Sequence, residues 1–357
     1  MKILAVVPNL DLCDGVVTCM MNYYYALENL AQMDFAVIHD RPSPVRDELI
    51  AKGTKIFNVP SLLDPHAKEK CRTFLKAEHY DVIHDNTLVR SLPLMEAAKA
   101  CNVPVRVIHS HNTRFSESKS RAALTKTLLP RLKSCANRYF ACSQVAGEFL
   151  FKGAAFTVIP NIVDTQFTFN EHKRRAMRKQ LGILNETLII SVGRMTRQKN
   201  PLKALEIVSL YVRFHPDTLY LWIGDDQDDL ELRKQFDEKV KALDLENNVR
   251  FYGVSHHMNE LYNAADLLLM PSLFEGLPVV LVEAQATGLP CVVADTITKE
   301  ANYSGHIRYL PLASPSQWVV AMEEACNENR YDGQSLFKQS VFSPEGAGKR
   351  LIEAYLK

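Results

Sequence analysis

Pro271-Ser-Leu-Phe-Glu275-Gly276-Leu277-Pro278-Val-Val-Leu-Val-Glu283 follows the apolar run Leu267 to Met270 and continues into a helical pattern. Strand, glycine turn and helix start in that order make one βα unit. Pro278 suits the first helical position, because its φ is already helical and its missing N–H would be unpaired there anyway. Gly276 lets a backbone approach a ligand closely. The first N–H groups of a helix lack partners within it and lie at the positive end of its dipole. The unit is therefore an anion site at the carboxyl edge of a parallel sheet. Glu275 stands before the helix, and Glu283 falls in its second turn.

Working outward, Ser191-Val-Gly193-Arg194-Met-Thr-Arg-Gln-Lys199-Asn200-Pro201 repeats the arrangement, with Pro201 in the first turn and Leu202, Leu205 and Val208 as the buried stripe. Short β-rich runs alternate with helical stretches along the whole chain, the pattern of parallel sheets. Strands are expected at Ile3 to Val7, Phe35 to His39, Val82 to His84, Val105 to Ile108, Tyr139 to Ala141 and Phe156 to Ile159. Five more are expected at Leu188 to Val192, Leu219 to Ile223, Val249 to Tyr252, Leu267 to Met270 and Cys291 to Val293. The composition shift after Pro160-Asn161-Ile162-Val163-Asp164 marks a boundary, giving domains at 1–165 and 166–340 and a closing helical segment, 341–357, whose Leu351, Ile352 and Tyr355 could pack on either domain. A chain of 357 residues is long enough for two cores.

The formal net charge of +1 excludes the overall basic field of a nucleic-acid binder. Residues 1–165 carry 20 Lys and Arg against 16 Asp and Glu, and the remainder 22 against 25, so the halves differ in sign. Seven basic residues lie between Arg114 and Arg138 with one acid, Glu117, on a helical stretch expected to break or kink at Pro130. Such a stretch is either a solvated helix face or a dock for an anionic membrane. The eight cysteines, at 13, 19, 71, 101, 135, 142, 291 and 326, form no CxxC pair and read as reduced cytosolic thiols. The N-terminal apolar run is cut by Pro8 and Asp11, so it reads as a first strand and not a signal peptide. No metal-ligand cluster and no membrane-spanning run occurs in the sequence.

Two carboxylates eight apart, Glu275 and Glu283, with Gly276-x-Pro278 between them, resemble the signature of glycosyltransferase family 4. The resemblance implies the GT-B fold, an α/β architecture of two Rossmann-like parallel-sheet domains facing a central cleft. It extends to about residue 340, specifically in the second half and weakly in the first. By this resemblance Glu283 binds the ribose of a nucleotide, and Glu275 with the Gly276 and Leu277 amides holds the donor sugar. Arg194 and Lys199 neutralise a diphosphate leaving group without a metal ion or other cofactor. A histidine ending a first-domain strand lies against the sugar. His111 fits that context because Asn112-Thr113 follow it, and His109 shares its side of the strand. Gly15 in Asp14-Gly15-Val16-Val17-Thr18 matches the second glycine of the turn that approaches phosphates and acceptor, with Asp14 replacing the first. Ile162 replaces another customary glycine, which would stiffen a hinge. Asp226 departs from the usual pattern in Gly224-Asp225-Asp226, which would alter that loop.

Glu283-Ala-Gln-Ala-Thr-Gly-Leu-Pro and Asp295-Thr-Ile-Thr-Lys299-Glu300 look like the members that build bacterial capsular or exopolysaccharide units. The implied reaction is transfer, with retention, from a nucleotide diphosphate sugar, UDP by family frequency, to a glycan or lipid-linked acceptor. The implied location is cytoplasmic, with the Arg114 to Arg138 stretch available to the inner membrane face. A nicotinamide dehydrogenase fails on the first turn, which lacks GxGxxG. A nucleotide-sugar epimerase leaves the Glu275 to Glu283 motif unexplained. A non-catalytic partner that activates another transferase would have no use for intact motif residues.

Overall fold

The computed structural model describes residues 1–12, 14–115, 118–227 and 229–357. Cys13 and Glu117 therefore lie outside the described residues. Two compact units divide the chain: residues 1–162 with 344–357, and residues 163–343.

The first unit is a seven-stranded sheet of β1 (Lys2–Val7), β2 (Gln32–Val37), β3 (Ile56–Asn58), β4 (Val82–Asp85), β5 (Val105–Ser110), β6 (Arg138–Ala141) and β7 (Thr157–Val158). The strands are parallel throughout, in the order β3-β2-β1-β4-β5-β6-β7. Ile3 to Val7 are all fully buried, as a central parallel strand covered on both faces must be. Chain order reverses between β1 and β4, so the switch point of this sheet lies at their carboxyl ends.

The second unit has β8 (Thr187–Val192), β9 (Thr218–Ile223), β10 (Val249–Gly253), β11 (Leu267–Met270), β12 (Cys291–Ala294) and β13 (Ile307–Leu310), all parallel, in the order β10-β9-β8-β11-β12-β13. In register, Ile189 of β8 lies between Tyr220 and Leu267. The switch point here falls between β8 and β11, the two strands whose following turns carry the motifs quoted above.

β3 and β13 were not expected from the sequence. Both are edge strands, and Ile56, Phe57 and three of the four residues of β13 stay partly exposed, so neither needs a continuous apolar run. The basic helix runs from Lys119 to Lys133 with Pro130 inside it, so of the break or kink expected there, the break does not occur. Ile162 is fully buried in the first unit's core, and its carbonyl accepts from Asn22 Nδ2 at 2.7 Å. The closing helix, Ala347–Leu356, belongs to the first unit, where Leu351 and Tyr355 are completely buried with Met20, Val107 and Phe140. It packs closely on the helix Gly15–Ala26: a Cβ at Gly348 would lie 2.1 Å from the Ala26 carbonyl oxygen.

Candidate functional site

In the second unit, the turns after β8 and β11 interlock at the switch point. Lys199 ends the short turn Arg197–Lys199, and its Nζ lies 2.8 Å from Glu275 Oε1 in a pair with side-chain exposures of 19% and 7%. Gln198 Nε2 donates to the other carboxylate oxygen at 3.1 Å and to the Phe274 carbonyl at 3.0 Å. The Leu273 amide returns a bond to the Gln198 carbonyl at 2.8 Å, and Asn200 Nδ2 donates to the Pro271 carbonyl at 3.1 Å. Sequence reasoning missed Gln198, although it sits inside a quoted motif, because an amide between two cations gives no charge signal.

Two glycines make this arrangement possible. Gly193 has φ +148°, and a Cβ there would lie 2.8 Å from Lys199 Cε, so the lysine stem crosses where a side chain would be. Gly224 has φ +151°, and its Cβ would lie 2.1 Å from the Gly193 carbonyl oxygen. The loop after β9 is thus pressed against the loop after β8, and Met195 N bonds the Asp225 carbonyl at 2.7 Å. Asp226 is tied to Arg233 at 2.9 Å, which anchors that loop to the helix Leu230–Ala242. Arg194 follows Gly193 directly and is exposed.

Gly276 and Leu277 are buried beside Glu275. Pro278 does not occupy the first helical position: its ψ of 111° is extended, which makes it the cap of the helix Val279–Ala286. With its φ of −72°, the ring still leads directly into the helix. Glu283 lies in the second turn, 8% exposed, and Tyr262 donates to its Oε2 at 2.8 Å. Burial pushes this carboxyl up to about 7; the Tyr262 bond opposes the rise and the nearby Asp164 charge adds to it. Tyr262 was not singled out from the sequence, although a buried tyrosine hydroxyl generally finds a partner.

In the first unit, the carboxyl ends of β4 and β5 gather a row of neutral polar groups. Tyr355 Oη lies 2.6 Å from His84 Nδ1, and His84 Nε2 lies 2.8 Å from His109 Nδ1. The His109 ring packs against His111 with centroids 3.9 Å apart. Asn86 uses both amide hydrogens, on the Val6 carbonyl at 3.0 Å and the His84 carbonyl at 3.2 Å. Its Oδ1, 2.7 Å from His111 Nε2, is therefore an acceptor, and His111 carries its proton on Nε2. Burial lowers His84 to about 3 and His111 to about 4, and holds His109 well below the usual imidazole range. Asp85, also buried, is pushed up to about 7. His109 is interior at 1% exposure, whereas His111 stands half-buried just past the end of β5. Gly15 is the first residue of the helix Gly15–Ala26 and not part of a turn; Asp14 caps that helix through the Val16 amide at 2.9 Å.

Two parallel sheets, each with a switch-point edge carrying polar motifs, place the chain among the GT-B glycosyltransferases. HepE from Anabaena, solved with UDP and glucose, superposes with a TM-score of 0.82 at 18% identity over 99% of this chain and 98% of that one. Sucrose-phosphate synthase from Thermosynechococcus elongatus gives 0.78 at 15% identity over 100% and 98%. The family model "Glycosyltransferase Family 4" matches residues 14–167, and "Glycosyl transferases group 1" matches residues 173–306. A Bacillus subtilis relative, EpsF, is 30% identical over 88% of this chain and 85% of its own length. An Escherichia coli enzyme, UDP-Gal:alpha-D-GlcNAc-diphosphoundecaprenol alpha-1,3-galactosyltransferase, is 27% identical over 80% and 77%. The chain belongs to glycosyltransferase family 4, and it is a glycosyltransferase.

Proposed function

We propose that the second unit binds a nucleotide diphosphate sugar, with Glu283 on the ribose, Arg194 and Lys199 on the diphosphate, and Glu275 with the Gly276 and Leu277 amides on the sugar. The observation that carries this reading is the Lys199 to Glu275 pair at the β8 and β11 switch point, the position where open parallel sheets take their ligands. UDP is the proposed nucleotide, because the E. coli relative is named for UDP-Gal and HepE was solved with UDP. The proposed acceptor is a glycan or lipid-linked sugar in bacterial cell-surface polysaccharide synthesis. The E. coli relative, whose acceptor is named as a diphosphoundecaprenol, supports it.

The proposed chemistry retains configuration. The bond from C1 to the phosphate oxygen breaks, the acceptor oxygen bonds C1 on the same face, and the departing phosphate takes the acceptor's proton. Stabilising the leaving charge is then the main catalytic task, and the two cations supply it without a metal. In the first unit, His111 is the proposed ligand contact, through a ring that is neutral at pH 7. His109 supports it by packing from within.

A thermal-shift panel of nucleotide sugars tests the donor assignment. The true donor at a hundred times its Kd stabilises by about 2.7 kcal/mol, and a panel in which no nucleotide sugar acts would refute it. Added EDTA is expected to leave turnover unchanged.

The basic helix Lys119–Lys133 is proposed to rest on an anionic membrane at the inner face. Arg121, Lys126 and the half-exposed Leu124 lie on its solvent side. Arg131 pairs with Glu96, and Lys133 bonds the Leu150 carbonyl at 2.6 Å, so those two are engaged within the protein. Among the described residues no helix is long and apolar enough to cross a membrane. Flotation with vesicles that contain or lack anionic lipid decides the matter; equal recovery from both removes the membrane contact.

A further inference from the structure

Glu283 reaches the nucleotide, on the reading above, with one of its two oxygens already engaged. The Tyr262 hydroxyl donates to Oε2 at 2.8 Å, and the tyrosine is completely buried. Its backbone is fixed by Arg330, whose Nη2 donates to the Tyr262 carbonyl at 2.6 Å. Its ring is fixed by Phe167, edge-on at 5.8 Å. The phenol is thus held along its length, and its hydroxyl is aimed at one carboxylate oxygen.

A ribose presents two neighbouring hydroxyls, and both are best received by a carboxylate that is ionised and cannot rotate. We propose that Tyr262 is a positioning residue for donor binding: by occupying Oε2 it fixes the plane of the Glu283 carboxylate and leaves Oε1 for the ribose diol. This rests on the reading that Glu283 binds the nucleotide. The groups acting on Glu283 are Tyr262, from the helix Met258–Ala264, and Asp164, from the segment before the helix Glu171–Leu181. Asp164 and burial both favour the protonated acid, so Tyr262 is the partner that opposes them.

The test is UDP binding by the full chain, measured by titration calorimetry between pH 6.5 and 9 for wild type, Tyr262→Phe and Glu283→Gln. Phenylalanine keeps the ring and removes only the donor. A tenfold change in the acid constant of Glu283 takes its ionised fraction at pH 7 from roughly a half to roughly a tenth. Tyr262→Phe should therefore bind UDP about fivefold more weakly at pH 7, and the gap should narrow toward pH 9. A carbon-NMR titration of the Glu283 carboxyl should move to higher pH in the same variant. Glu283→Gln should weaken binding at every pH.

If Tyr262→Phe matches wild type throughout, or the Glu283 titration does not move in that variant, the positioning role is wrong while the nucleotide reading stands. If Glu283→Gln binds UDP as wild type does, or wild type does not bind UDP, the nucleotide reading itself fails and takes this role with it.

Discussion

Replacing Glu283 with glutamine should stabilise the second unit at pH 8 and do almost nothing at pH 4. The folded carboxyl stands at about 7 against an ordinary glutamate value of 4.5. Below the lower value both folded and unfolded chains hold the proton, and folding carries no penalty. Between the two values the unfolded chain gives up its proton while the native state still holds it, so stability falls until pH passes the folded value and then levels off. At 1.36 kcal/mol for each factor of ten, the full loss is about 3 kcal/mol, reached above pH 7. Glutamine keeps the shape and can still accept from Tyr262, but it never ionises. Both tryptophans of the chain, Trp222 and Trp318, are buried in the second unit, so their fluorescence during urea unfolding reports that unit alone. A gain at pH 8 that vanishes by pH 4 is expected. An equal effect at both pH values, or a destabilisation at pH 8, would refute the reasoning. The same variant should bind UDP less well, making Glu283 a residue whose use costs stability.

Arg194→Ala should keep the fold, since the side chain is exposed, and lose about a hundredfold in transfer rate; wild-type turnover would overturn its role. Lys199→Met leaves a buried carboxylate without its cation and should lower the melting temperature by an amount equivalent to about 3 kcal/mol. Adding Glu275→Gln should recover most of that stability and none of the activity, which melting curves and a donor-turnover assay separate. Gly224→Ala forces a Cβ into the Gly193 carbonyl, so it should unfold or displace the loop bearing Arg194 and abolish UDP binding; unchanged binding would contradict the close approach. Tyr355→Phe removes a buried bond to His84 and should cost about 1–3 kcal/mol in the first unit, read by circular dichroism, with UDP affinity unchanged.

Sequence alone was enough for the architecture, because parallel strands are buried on both faces and therefore announce themselves as apolar runs. The motif turns were legible for a related reason: glycines at φ near +150° and prolines at helix starts are demanded by the backbone whatever the neighbours are. β3 and β13 escaped because edge strands need no such run, and the expected helix runs on unbroken through Pro130 because propensity alone does not end a helix that packing holds. Only the folded chain decided which charges meet. Lys199 and Glu275 are 76 positions apart, Tyr262 and Glu283 are 21 apart, and His84 and Tyr355 are 271 apart. Nothing local to either member of those pairs encodes its partner. The closing helix likewise carried an apolar face that fitted either unit, and it joined the first because Gly348 lets it approach the helix Gly15–Ala26 at backbone distance. Burial then fixed the protonation of the histidines and of Glu283, a property of the surroundings that no residue carries by itself.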